Sequence, residues 1–99
     1  MILEMATITV RAGEETAFEA AVGQARPLFA RAKGCLGMSL RRGVEAPLTY
    51  HLLVEWETLD NHMVDFRGSE DFQAWRALAG PYFSGAPIMI HSDDVVFPD

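Results

Sequence analysis

The chain has 99 residues, 49% of them hydrophobic, and a formal net charge of -6 from 14 acidic against 8 basic side chains. That length holds a single domain, residues 1–99, whose core stays thin unless a partner covers further apolar surface. Surplus acid speaks against nucleic acid as a partner, since phosphate backbones attract Lys and Arg. Arg41-Arg42, the one basic doublet, reads as a solvated strand end. The sole cysteine, Cys35, excludes an internal disulfide and a cysteine-built zinc site, and reads as a buried, inert thiol. Met1-Ile2-Leu3-Glu4 lacks the layout of a secretory signal, and no apolar run reaches membrane-spanning length. A cytoplasmic protein with no membrane partner is expected.

Ile2 to Val10 alternates as a strand and ends at Arg11-Ala12-Gly13. From Glu14 the period becomes helical, with Phe18, Ala21, Val22, Ala25, Leu28, Phe29 and Ala32 on one side and Gly34 as the stop. Pro27 removes one backbone bond and should bend this helix. Cys35 to Arg42 and Leu48 to Trp56 read as a hairpin around Gly43-Val44-Glu45-Ala46-Pro47. Thr58 caps a short helix, Leu59 to Arg67, with Leu59, Met63 and Phe66 on its apolar face. Ser69 caps the next, with Phe72, Trp75 and Leu78 inward, and Gly80-Pro81 ends it. A last strand is expected from Pro87 to Phe97, bent near Ser92-Asp93-Asp94.

The order βαββαβ, with a split second helix, predicts an α+β fold of ferredoxin-like type: an antiparallel sheet with helices on one face. Both parities of the first strand are partly apolar, with Ile2, Ile8 and Val10 on one side and Leu3 and Met5 on the other. Helices cover only one face of a sheet, so a second copy of the chain is the expected cover for the other.

Three histidines, His51, His62 and His91, show no local metal-ligand spacing, and no metal site is expected. His62 lies one turn before Phe66, at the border of an apolar face. It reads either as a solvated helix histidine or as a general base at the mouth of a cavity. Phe66, Phe72, Trp75, Tyr82 and Phe83 serve as core, as the wall of a pocket for flat molecules, or as both. Arg67 and Arg76 can meet an anionic substrate group, or pair with Asp65, Glu70 and Asp71. No phosphate-cradling loop, nucleophile elbow or dinucleotide fingerprint is present.

Gly34-Cys35-Leu36, Leu53-Val54-Glu55-Trp56-Glu57-Thr58, His62, and the run Phe66 to Arg76 with its Ser69-Glu70-Asp71-Phe72 together resemble the antibiotic biosynthesis monooxygenase family. The resemblance takes in nearly the whole chain, including Pro87 and His91. It implies a dimeric α+β barrel with a cavity between sheet and helices in each subunit. Where the haem-degrading members carry a Trp and a His, this chain has Phe66 and Arg76, which points away from haem. Where the polyketide oxygenases carry an Asn and a Trp, it has His62 and Phe66. The resemblance thus implies a monooxygenase without cofactor, acting with O2 on a small phenolic, quinol or polyketide-like substrate. His62 would be catalytic, and Phe66, Phe72, Trp75, Tyr82 and His91 would bind the ring. Two other readings fit the same cavity: a non-catalytic dimeric carrier of a small molecule, and a non-oxidative enzyme acting on a small keto metabolite.

Overall fold

A computed structural model describes residues 1–99. Its elements are β1 (Ile2–Thr9), α1 (Glu15–Ala30), β2 (Cys35–Arg42), β3 (Thr49–Trp56), a π-helical turn (Asn61–Phe66), α2 (Glu70–Ala79), a 3-10 turn (Gly80–Tyr82) and β4 (Ile88–Asp93). The four strands form one antiparallel sheet in the order β2-β3-β1-β4, the ferredoxin-like arrangement expected from the sequence. No helix is long and apolar enough to cross a membrane.

Strand alternation decides what faces the helices. On β1 from Glu4 onward and on β3 the even-numbered positions are buried, and Ile8, Val10, Tyr50, Leu52, Val54 and Trp56 are almost wholly sealed. Phe18, Val22, Ala25 and Phe29 of α1 pack onto them. Pro27 sits on the exposed side of α1, where the carbonyl it leaves unpaired meets water, and the helix runs on to Ala30. The opposite sheet face carries half-buried Leu3, Met5 and Leu53 beside exposed Leu36, Ile88 and Ile90.

Two expectations are corrected. The last strand ends at Asp93, and Val95, Val96 and Phe97 lie beyond the sheet, exposed. The short helix after Thr58 also presents a different face. Leu59 and Met63 are exposed, and Asn61, His62 and Phe66 are the buried residues. The cause is the wider turn: the Arg67 N–H donates to the His62 carbonyl at 3.0 Å, five residues back. The next bonds, from Gly68 to Val64 and from Ser69 to Phe66, tighten to spans of four and three residues before α2 begins.

Thr58 does cap this segment, reciprocally. The Asn61 N–H donates to Thr58 Oγ1 at 3.2 Å, and the Thr58 N–H donates to Asn61 Oδ1 at 3.0 Å, a capping-box geometry. Asn61 in turn fills the space above Gly34, where φ is +78° and any Cβ would fall inside the Asn61 side chain. Gly34→Ala should therefore destabilise the fold by about 2 kcal/mol or more, since it adds a left-handed-region penalty to a clash with the cap. Urea unfolding measures this, and a loss within about 0.5 kcal/mol would show that Asn61 has room to move aside.

Candidate active site

Between the sheet and the helical segments of the second half lies a cavity of about 760 Å3. That is within the ~300–1,000 Å3 usual for small-molecule sites. The sheet supplies Glu4, Ala6, Ile8, Leu52 and Met89 to its wall; the π-turn supplies His62 and Phe66, followed by Arg67; and α2 supplies Phe72, Trp75 and Arg76.

Its most unusual group is Glu4, 4% exposed in the middle of an apolar strand face. Register explains its neighbours. Glu4 stands directly opposite His91 on β4, and Trp56, paired with Ile2, is its diagonal neighbour on β3. The Trp56 indole N–H donates to Glu4 Oε1 at 3.0 Å. His62 Nε2 lies 3.3 Å from the same oxygen, and His62 Nδ1 lies 2.8 Å from His91 Nε2. The imidazole of His62, 2% exposed, is stacked on the Trp56 ring with centroids 5.4 Å apart.

Carboxyl, imidazole and imidazole thus form a line. With a proton on Glu4, the carboxyl donates to His62 Nε2 and the His62 Nδ1–H donates to His91. Without it, His62 donates to Glu4 and accepts from His91, so one added proton reverses every bond in the line. Both ring nitrogens of His62 are occupied. Glu4 Oε2 has no partner, yet no buried side-chain oxygen or nitrogen is left unpaired, so Oε2 is the atom open to the cavity.

Desolvation governs the charges. Burial pushes the Glu4 carboxyl up to about 7, against the Trp56 hydrogen bond and the nearby Arg67 charge. Burial pushes His62 down to about 4, with repulsion from His91 and Arg67 adding to it. His91 is lowered too, by burial and then by Arg67. The neutral pair is therefore the resting form at mild acid pH, because an ion pair here would have to offset two desolvations.

Of the residues the sequence nominated, His62, Phe66, Phe72 and Trp75 line the cavity, and His91 reaches it through His62. Tyr82 does not reach it. It lies in a separate shallow groove with Ala17, Ala20 and Gln24 of α1. In a 3-10 turn side chains three apart eclipse, so Phe83 shares the cavity side with Gly80 while Tyr82 points elsewhere. Arg67 and Arg76 line the outer wall, with guanidinium carbons 5.5 and 5.9 Å from the Phe72 ring centre. Neither is ion-paired, and Asp71 is held instead by Arg31 at 2.7 and 2.8 Å. No group of three or more His, Cys, Asp or Glu side chains is arranged to hold a metal ion. Cys35 is half-buried and free, its thiol pushed up by burial.

Glu4 is the residue that sequence reasoning missed. Its signal was an acid on the same parity as Ile2, Ile8 and Val10, where nothing but apolar side chains belongs.

Fold and site together define a small ferredoxin-like α+β protein with an internal small-molecule cavity. The family model for antibiotic biosynthesis monooxygenase matches residues 1–78, and the chain belongs to that family. It is 40% identical over 95 residues to YczJ of Bacillus subtilis, an uncharacterized protein, covering 96% of this chain and 100% of that one. A Bordetella bronchiseptica crystal structure named for the same family superposes with a TM-score of 0.94 at 56% identity, covering 96% and 97% of the two chains. SnoaB of Streptomyces nogalater, a cofactor-independent oxygenase, superposes with a TM-score of 0.81 over 99% and 97% of the two chains. At 16% identity that likeness is one of fold.

The opposed shifts of Glu4 and His62 predict a pH dependence that the wild type conceals. Between about 4.5 and 7 folded Glu4 keeps a proton that the unfolded chain loses, so its contribution to stability falls as pH rises. Between about 4 and 6.5 folded His62 lacks a proton that the unfolded chain carries, so its contribution rises with pH. The two nearly cancel. Glu4→Gln should leave a rising slope and His62→Gln a falling one, each up to about 1.4 kcal/mol per pH unit. Urea unfolding across this range reads both slopes, and equal slopes in the two variants would refute the assignment.

Proposed function

We propose that the protein is a cofactor-independent monooxygenase acting on a small phenolic, quinol or polyketide-like substrate bound in this cavity. The observation that carries the reading is the buried Glu4–His62 pair at the inner end of an aromatic-walled cavity. Family membership, and the shared fold with an oxygenase described as cofactor-independent, support it.

The substrate supplies the electrons. Loss of a proton from an acidic hydroxyl or an activated CH2 leaves an anion rich enough to reduce O2 directly, so the protein has to bind, deprotonate and exclude water. At an activated CH2 the two hydrogens give way to a carbonyl oxygen, the second oxygen atom leaves as water, and all four electrons come from the substrate. Glu4 Oε2 receives the proton, and His62, donating to Oε1 behind it, holds the carboxylate that takes it. Phe66, Phe72 and Trp75 hold the ring.

Oxygen-electrode assays with anthrone- and quinol-type compounds test this. Uptake should accompany product formation, and His62→Ala should lower kcat by about 10²–10⁴, the usual weight of an acid–base group, with the far-UV circular dichroism retained. Full activity in that variant would remove His62 from the mechanism. Binding without oxygen uptake would make the protein a carrier, and product without uptake a non-oxidative enzyme.

The same reading includes a homodimer closed through the free sheet face. Leu3, Met5 and Leu53, with exposed Leu36, Ile88 and Ile90, form an apolar surface that a second copy would cover. Light scattering should give the mass of a dimer at micromolar concentration, and Leu53→Asp should shift it toward monomer. A monomeric wild type would end this part of the proposal.

A further inference from the structure

The cavity wall has the opposite sign of charge to the rest of the molecule. The chain carries a formal net charge of -6, yet the wall holds Arg67 and Arg76 against a single acid, Glu4. That acid already has Trp56 and His62 as partners and spends much of its time protonated. The two arginines have no carboxylate within ion-pair distance, whereas Arg31 and Arg42 elsewhere are paired with Asp71 and Glu19. Both guanidinium groups lie at cation–π distance from Phe72, itself a wall residue of the cavity. Arg67 also lies close enough to the inner end for its charge to act on Glu4, His62 and His91. Both cations thus face the cavity without a protein anion of their own, and a bound anion would supply one.

We infer that the ligand is an aromatic acid: a planar hydroxy-aromatic ring whose carboxylate is taken by Arg67 and Arg76, with the ring against Phe72 and Trp75 and the hydroxyl directed to Glu4. The placement of ring and hydroxyl rests on the function proposed above; the requirement for an acidic group rests on the arginine pair alone. A guanidinium fork suits a carboxylate because it donates two parallel hydrogen bonds. The polarity of the site follows from this. The acid end lies outward in the charged, wetter half of the cavity, and the reacting end lies inward, where desolvation governs proton transfer.

The test is calorimetric and needs no turnover. Under anaerobic conditions, 6-hydroxy-2-naphthoate, whose hydroxyl and carboxylate lie at opposite ends of the ring system, and its methyl ester are titrated into the wild-type protein at low and at high salt. The acid should bind about tenfold tighter or more, as charge-assisted contacts at a half-open site allow, and added salt should erode the difference. In the Arg67→Ala/Arg76→Ala variant acid and ester should bind alike; both side chains are exposed, so circular dichroism should confirm an intact fold. Equal binding of acid and ester by the wild type, failure of the acid to bind, or a preference that survives loss of both arginines would each overturn the inference. Oxygen uptake is then measured separately with both compounds. Uptake with no advantage for the acid would leave the oxygenase standing without the acidic substrate class. Tight, arginine-dependent binding without uptake would do the reverse.

Discussion

A carboxyl group buried on the helix-facing side of β1 is the constraint on which much of the interior depends. Left alone, Glu4 would cost several kcal/mol in lost hydration. It is tolerated because Trp56 donates to it across the sheet and because His62 lies against the same oxygen. His62 arrives there only because the segment after β3 turns with a π-type bond. That turn begins on the reciprocal cap between Thr58 and Asn61, and Asn61 has its place only because residue 34 has no side chain. A glycine at the end of one helix is thus connected, contact by contact, to the protonation of an acid on the first strand.

The fold was largely legible in the sequence because it follows from periodicity. Alternation in Ile2 to Val10 and Leu48 to Trp56, helical spacing from Phe18 to Phe29, and the caps Thr58 and Ser69 are local signals that tertiary packing reinforced. Where packing overrode local pattern, the reading failed. Leu59 and Met63 share an α-helical face with Phe66, and only the wider turn rotates them outward. Val95 to Phe97 continue an apolar pattern with no neighbouring strand to pair with.

The site was half legible. Residues at helical spacing, His62, Phe66, Phe72 and Trp75, meet because helices keep such residues on one side. Tyr82 was lost to the phase of a single 3-10 turn. Glu4 and His91 are far apart in sequence, and strand register alone sets them side by side. Family membership bears on the type of chemistry proposed, and the distribution of charge within this cavity bears on the class of molecule proposed for it. These are separate questions, because one fold serves many reactions.

The π-turn also bears on how this chain is compared with others. Such a turn holds more residues than an α-turn, because its hydrogen bond spans five residues instead of four. A relative with an ordinary α-turn here would be one residue shorter between β3 and α2. Any ungapped alignment would then set His62 against the neighbour of its spatial counterpart. At this position a difference in residue type need not mean a difference in chemistry, and an identity need not mean a shared role. Comparison has to begin from the place of the imidazole over the Trp56 ring, with letters matched to it afterwards.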